Sequence, residues 1–538
     1  MRPYSWSFLV ALTIVAGQVD IPPHARGGRA HLQRGSVEGE GKTSWEGTVQ
    51  QRCDHFTKAS WSRGAAHMSK GMLERRQGKP AETSANGQSC FFSQRFFVDD
   101  SNWAAPYGPV MLYLGGHNTL RGTPGGFVTE VARNLSALVV SLEHRFFGES
   151  LPEDAFKDKE VLKLLRVEQA IADAASFRGY FQHKHIAAPF GSSRNSWIVV
   201  GGGYAAALAA WAKVEHPQLF TAAWASSAPL EPVLDFGEFD AHVAAAVGVD
   251  CADALRRAGD AAAHVMLEGN ELDSMSLRAE FSAGALGIER GGHAGAGDVL
   301  QMIAESVSMA VQYGFKRYLC RAVLHPDEHR GEHPPPPGWG SFGAELVAIA
   351  NVTVELWGRG FGKACSHDPM CFSGLKDKAR GEERDAAAEA YHFCTELASF
   401  RSPARNGAGV RGPAQNQAFG ASYHMGRCVK AFGKGTRPDV HHLNSARGGR
   451  GVPGERVLFT GGADDPWTRV GRNHTGNPLL EEACHPLGMP SVMADCDGCG
   501  HCWDLVGRHD GDAEKANVAR QVILKHLWSW LGGVEVVS

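Results

Sequence analysis

The sequence predicts an α/β protein, a mostly parallel sheet with helices packed on it, and three observations carry that reading. Apolar runs as long as a buried strand recur at 109–114, 137–142, 197–200, 220–224 and 456–459, and unbroken hydrophobicity marks strands covered on both faces. Helix-patterned stretches separate them, at about 167–177 and again at 513–531. Glycines follow three of the runs, at Gly115-Gly116, Gly201 to Gly203 and Gly461-Gly462, so these strands end in tight turns.

Taken in order, residues 1–18 pair Arg2 with an apolar segment that ends in small residues, the pattern of a secretory signal peptide. Asp54-His55-Phe56 precedes a polar stretch that reads as a surface insertion, with Cys53 and Cys90 placed to staple its ends. Residues 45–234 read as the first part of the sheet domain. From 235 to 434 the texture changes to alanine-rich helical stretches (239–247, 252–266, 385–397) broken by the Pro334 to Pro337 run, which reads as a helical insertion over the catalytic edge of the sheet. Residues 435–538 restore the strand pattern and close with an amphipathic helix.

The most informative stretch runs from Trp197 to Pro217. A strand meets three glycines and an alanine-rich helix follows until Pro217 stops it. Strand, sharp turn and helix outline the nucleophile elbow of an α/β-hydrolase, in which a serine stands on a strained turn and the next backbone N–H forms part of an oxyanion hole. Gly203 occupies the serine's place. Tyr204 then supplies the first oxyanion donor and the Gly116 turn the second.

Later in the chain, Asp465 follows a strand in Gly461-Gly462-Ala463-Asp464-Asp465-Pro466-Trp467, and His501 lies in a late loop. Nucleophile, carboxylate, histidine is the order of an α/β-hydrolase triad, where the histidine takes the nucleophile's proton and the carboxylate orients it. Ser192 and Ser193 fall at the wrong end of the elbow strand to replace the missing hydroxyl. Cys496-x2-Cys499-x-His501-Cys502 also has metal-ligand spacing, but an oxidising compartment consumes thiols as disulfides, so neither a metal nor another cofactor is expected.

Composition narrows the partners. With Lys+Arg 54 against Asp+Glu 58 and no basic stripe, nucleic acid is not expected. After the signal no run reaches the ~18 apolar residues of a membrane span. All 12 cysteines lie beyond the signal, and Asn134, Asn351 and Asn473 each begin an N-glycosylation acceptor pattern. A secreted or lysosomal protein that receives peptides or peptide ends fits, and a homodimer is compatible with it.

Several blocks resemble the prolyl carboxypeptidase family of serine peptidases. They are Asp54-His55-Phe56, Gln94 to Val98, Ser141 to Gly148, Val167 to Ala170, Ala225 to Pro229, Cys394-Thr395-Glu396, Asp465-Pro466-Trp467 and Gly500-His501-Cys502 with Asp504-Leu505. The resemblance implies an α/β-hydrolase core under a helical insertion, and exopeptidase action often after proline. It places the family's catalytic Asp on Asp465, its His on His501 and its Ser on Gly203. Relatives read Gly-Gly-Ser-Tyr-Ala-Gly at the elbow, so Ala206 departs as well. His117 sits where the Gly-Gly turn is usually followed by Glu, and Ala387 and Glu389 sit in a block that usually carries Arg and Trp. His117, Glu389, Glu396 and Trp467 are therefore the expected substrate wall. The protein is expected to be inactive or strongly impaired, with a peptide-binding or regulatory role, the alternative being an active carboxypeptidase or dipeptidyl peptidase in which position 203 is a sequence error or His501 activates water.

Overall fold

The computed structural model describes residues 44–56, 90–186, 195–281, 295–328, 335–357, 381–472, 488–508 and 513–532. The expected signal peptide, the polar stretch before Cys90, Ser192, Ser193 and Asn473 lie outside the described residues.

Eight strands form one sheet: β1 (Trp45–Arg52), β2 (Phe91–Asp99), β3 (Val110–Leu114), β4 (Leu138–Leu142), β5 (Trp197–Gly202), β6 (Ala222–Ser226), β7 (Val457–Gly462) and β8 (Ser491–Ala494). Their order is β1-β2-β4-β3-β5-β6-β7-β8. β2 runs antiparallel to both β1 and β4, while β4, β3, β5, β6, β7 and β8 are mutually parallel. This arrangement is the α/β-hydrolase fold.

The central strands β3, β4 and β6 are buried at every position, which explains why they read as unbroken apolar runs. Alternation divides them between two faces. Val199 packs with Phe177 and Phe181 of α2 (Val167–Lys184) and with Leu208 and Trp211 of α3 (Tyr204–Glu215). Ile198 and Val200 face the other way, onto Phe127 and Val131 of α1 (Gly126–Leu135) and Ile523 and Leu527 of α11 (Glu514–Trp530). β6 begins two residues later than its apolar run. Phe220 instead closes a turn, its N–H bonding the His216 carbonyl at 3.2 Å, and pairing with β5 starts at Ile198↔Ala222.

Between β6 and β7 the chain forms α4 (Gly237–Val247), α5 (Val249–Leu267), α6 (Ala296–Gln312), α7 (Lys316–Leu324), α8 (Gly343–Trp357), α9 (Glu382–His392) and α10 (Ala421–Phe432). Phe239, Leu255, Ile303 and Leu346 belong to an apolar cluster of this region. Disulfides join Cys53 to Cys90, Cys251 to Cys320, Cys394 to Cys428 and Cys496 to Cys499. Cys502 is the free cysteine among the described residues. Asn134 is exposed at the end of α1, and Asn351 is half-buried on α8.

Candidate active site

The elbow forms because small residues let backbone approach backbone. A Cβ at Gly201 would come within 2.2 Å of the Ala205 carbonyl oxygen, so only glycine lets β5 turn this sharply into α3. Gly203 stands at the turn with φ 57° and ψ −125°, and its N–H is held by the Ser226 carbonyl at 2.9 Å. Tyr204 opens α3, so its N–H has no carbonyl one helical turn before it. Gly116 lies beside this turn, its virtual Cβ 4.0 Å from that of Ala205.

The loops after β7 and β8 bring Asp465 and His501 together. Asp465 is fully buried, and Oδ1 accepts the Trp467 N–H at 3.0 Å. The Nδ1 of His501 lies 3.0 and 3.1 Å from the two Asp465 oxygens. Its Nε2 faces Gly203, only 3.0 Å from where a Cβ would stand there. The imidazole thus occupies part of the room a serine side chain would need. Burial pulls the His501 pKa down, but the Asp465 charge, the Cys502 sulfur and the hydrogen bonds to both outweigh it and hold the imidazole well above 6.5.

The helical region reaches into this pair. The His501 N–H donates to the Gln312 carbonyl at 2.6 Å, and the Gln312 side-chain oxygen accepts from the Trp467 indole at 3.3 Å. Lys316 lies 2.6 Å from Asp464 and 3.4 Å from Asp497, while Asp464 accepts the Gly498 N–H at 3.0 Å. One lysine from α7 therefore ties the Asp loop to the His loop. No sequence pattern announces this clamp, because Lys316 lies more than a hundred residues from both acids.

The neighbouring serines are occupied. The Ser226 hydroxyl donates to buried Asp504 at 2.5 Å, and the Ser227 oxygen accepts the Cys502 N–H at 2.9 Å. Cys496 and Cys499 are consumed by their disulfide.

The four expected wall residues fall into two groups. His117 lies flat on the Tyr204 ring, centroids 4.2 Å apart at 8°, and its Nε2 meets His392 Nδ1 at 3.2 Å. His392 Nε2 meets the Glu396 carboxylate at 3.1 Å. Glu396 also accepts the Val167 N–H at 2.8 Å and is only 6% exposed, so it braces the wall from behind. Glu389 lies 3.7 Å from His117 Nδ1 with its side chain 40% exposed. Trp467 stands on the opposite group, its ring 6.4 Å from that of His501.

The sequence reading missed His144 and His392, whose nearest signal was the Glu143-His144-Arg145 motif. His144 Nε2 meets the Tyr204 hydroxyl at 3.2 Å. Burial first, then His392, hold His144 down to about 3, and burial with His392 and His144 holds His117 well below 6.5. Both imidazoles are neutral. The rest of the motif is scaffold: Arg145 grips Asp173 through two bonds of 2.7 Å, and Asp173 holds His55 at 2.7 Å. Glu143 accepts from Arg95 at 2.6 Å and from Ser150 at 2.7 Å.

A hydrolase sheet that carries an Asp–His pair at the rim of a glycine elbow defines an α/β-hydrolase with a serine-type relay and no serine at its turn. The model of the serine carboxypeptidase S28 family matches residues 84–318 of the chain. It is similar to the probable serine protease EDA2 of Arabidopsis thaliana, 26% identical over 466 residues, which cover 82% of this chain and 85% of that one. It is similar also to the thymus-specific serine protease of Homo sapiens, 28% identical over 475 residues, 82% of this chain and 83% of that one. Over a shorter stretch of 195 residues it is 33% identical to the lysosomal Pro-X carboxypeptidase of Mus musculus, 34% of this chain and 39% of that one.

Proposed function

We propose that this chain is a peptidase-family protein of the secretory pathway that binds peptide ends and hydrolyses them very weakly or not at all. The observation that carries the reading is Gly203 under His501 Nε2, an elbow with a relay and nothing for the relay to deprotonate. In this reading Asp465 and His501 hold the catalytic positions, Tyr204 and Gly116 the oxyanion positions, and His117, Glu389 and Trp467 line the wall. Removing the nucleophile of such a triad costs on the order of 10⁶ in turnover.

Activation of water by His501 is the weaker reading, because the gap beside Gly203 is narrowed by the ring itself. The secretory assignment is supported by four disulfides and by the signal-like start of the sequence. No described helix is long and apolar enough to cross a membrane.

The test is to incubate the purified full chain with proline-containing peptides and follow cleavage by mass spectrometry, with His501→Ala alongside. Peptide binding without cleavage above the His501→Ala background supports the reading. Turnover that disappears in His501→Ala sinks it.

A further inference from the structure

Glu389 stands apart from the other acids around the site. Asp465 has His501, Glu396 has His392 and the Val167 N–H, and Asp385 accepts from the Thr119 N–H, the Thr119 hydroxyl and the Gly148 N–H at 2.7, 2.6 and 3.1 Å. Among the described residues Glu389 lies 3.7 Å from His117, whose pKa burial, His392 and His144 hold well below 6.5, and it also feels the charge of Arg401. Its side chain is 40% exposed. Burial, opposed by Arg401 and reinforced by Asp385, raises its pKa to about 7 in the absence of a ligand. A carboxyl group left in that state gains most from an arriving cation that also donates hydrogen bonds.

Its place relative to the elbow is fixed through two stacked side chains. His117, which Glu389 touches, lies on the ring of Tyr204, and Tyr204 directly follows Gly203. Arg401, whose charge opposes the pKa rise at Glu389, also lies 5.9 Å over the Trp467 ring, and its guanidinium is bound to buried Glu305 at 2.6 Å. A peptide carboxylate arriving beside Trp467 would have to compete with Glu305. Arg469, whose Nε donates to His242 at 3.0 Å, is an exposed cation that could receive it.

We infer that the Glu389 carboxylate binds the free α-ammonium group of a peptide, so that the cleft takes peptides by their amino end. This rests on the peptide-end reading above, and it departs from what the name serine carboxypeptidase would suggest for this wall. His117 keeps the carboxylate beside Tyr204 by packing rather than by charge, which leaves the charge for the ligand.

The experiment is calorimetric titration of the purified full chain with the peptide Ala-Pro-Ala-Phe in four forms: free, N-acetylated, C-amidated and blocked at both ends. Acetylation is expected to raise Kd about tenfold or more, as loss of a charged hydrogen-bonded pair does, and amidation to change it less than about threefold. Glu389→Gln is expected to weaken the free peptide to the level of the acetylated one, with Glu389→Asp in between and Arg469→Gln leaving the ranking unchanged. If amidation weakens binding more than acetylation does, the amino-end inference falls and the peptide reading stands. The amino-end inference falls in the same way if Glu389→Gln keeps the acetylation penalty. If no form binds at millimolar concentration, both fall. The comparison of the four forms on the unaltered chain decides the matter even if a Glu389 variant does not fold.

Discussion

The two halves of the candidate active site differ in how tightly they are held. On the relay side, Asp465 and His501 are fixed by direct bonds to each other, by the Gln312 carbonyl and by the Lys316 bridge from α7. On the elbow side, the backbone makes its strained turn at Gly203, yet no side chain there meets the relay and the imidazole lies 3.0 Å from where a Cβ would stand. The difference teaches that a catalytic histidine is positioned mainly by its own loops. The Asp465–His501 pair stands without a side chain at the turn, because none of its bonds passes through Gly203.

If that contrast is right, breaking the relay side costs far more than altering the elbow. The largest effect is expected for Lys316→Met, which leaves Asp464 buried with no cation and destabilises the chain by about 3 kcal/mol. Urea unfolding would measure it, and a loss below about 0.5 kcal/mol would mean that the bridge does not hold the two loops together.

A second way to sharpen the contrast is pH. Because Asp465 holds His501 above 6.5 in the folded chain, the pair contributes stability that is complete below 6.5 and is lost as pH rises through the folded-state value. The stability gap between the unaltered chain and Asp465→Asn should therefore be widest in mild acid and should narrow with rising pH. In the same variant, NMR titration should find the His501 pKa moved downwards. A gap that widens with pH would show that the charge of Asp465 is not what holds the imidazole.

The smallest effect belongs to the elbow. Ala206→Gly removes one buried methyl and adds backbone freedom in the first turn of α3, a cost of about 1 kcal/mol. Thermal unfolding of this variant should sit close to that of the unaltered chain. A loss as large as that of Lys316→Met would erase the difference between the two halves.

Much of this architecture was legible in the sequence because it is local. The apolar runs that became β3, β4, β5 and β7, the glycines that end them and the order of Gly203, Asp465 and His501 are all written in short stretches. What depended on distant partners was not legible. Glu396 reads as a wall residue until His392 and the Val167 N–H are seen to enclose it. Lys316 is one lysine among many until α7 brings it to Asp464 and Asp497. The approach of His501 Nε2 to Gly203 belongs to the same class, since it joins two positions 298 residues apart.

The central claim is that the relay is preserved and only the nucleophile is missing, and labelling with a fluorophosphonate probe tests it most directly. The probe reacts with a serine activated by a neighbouring base. The unaltered chain is expected to remain unlabelled. Gly203→Ser should label at position 203, at a rate about 100-fold below that of an active relative because the imidazole must first withdraw from the new side chain. Gly203→Ser combined with His501→Ala should lose the label. Stoichiometric labelling of any serine in the unaltered chain would contradict the claim, as would a folded Gly203→Ser chain that never labels.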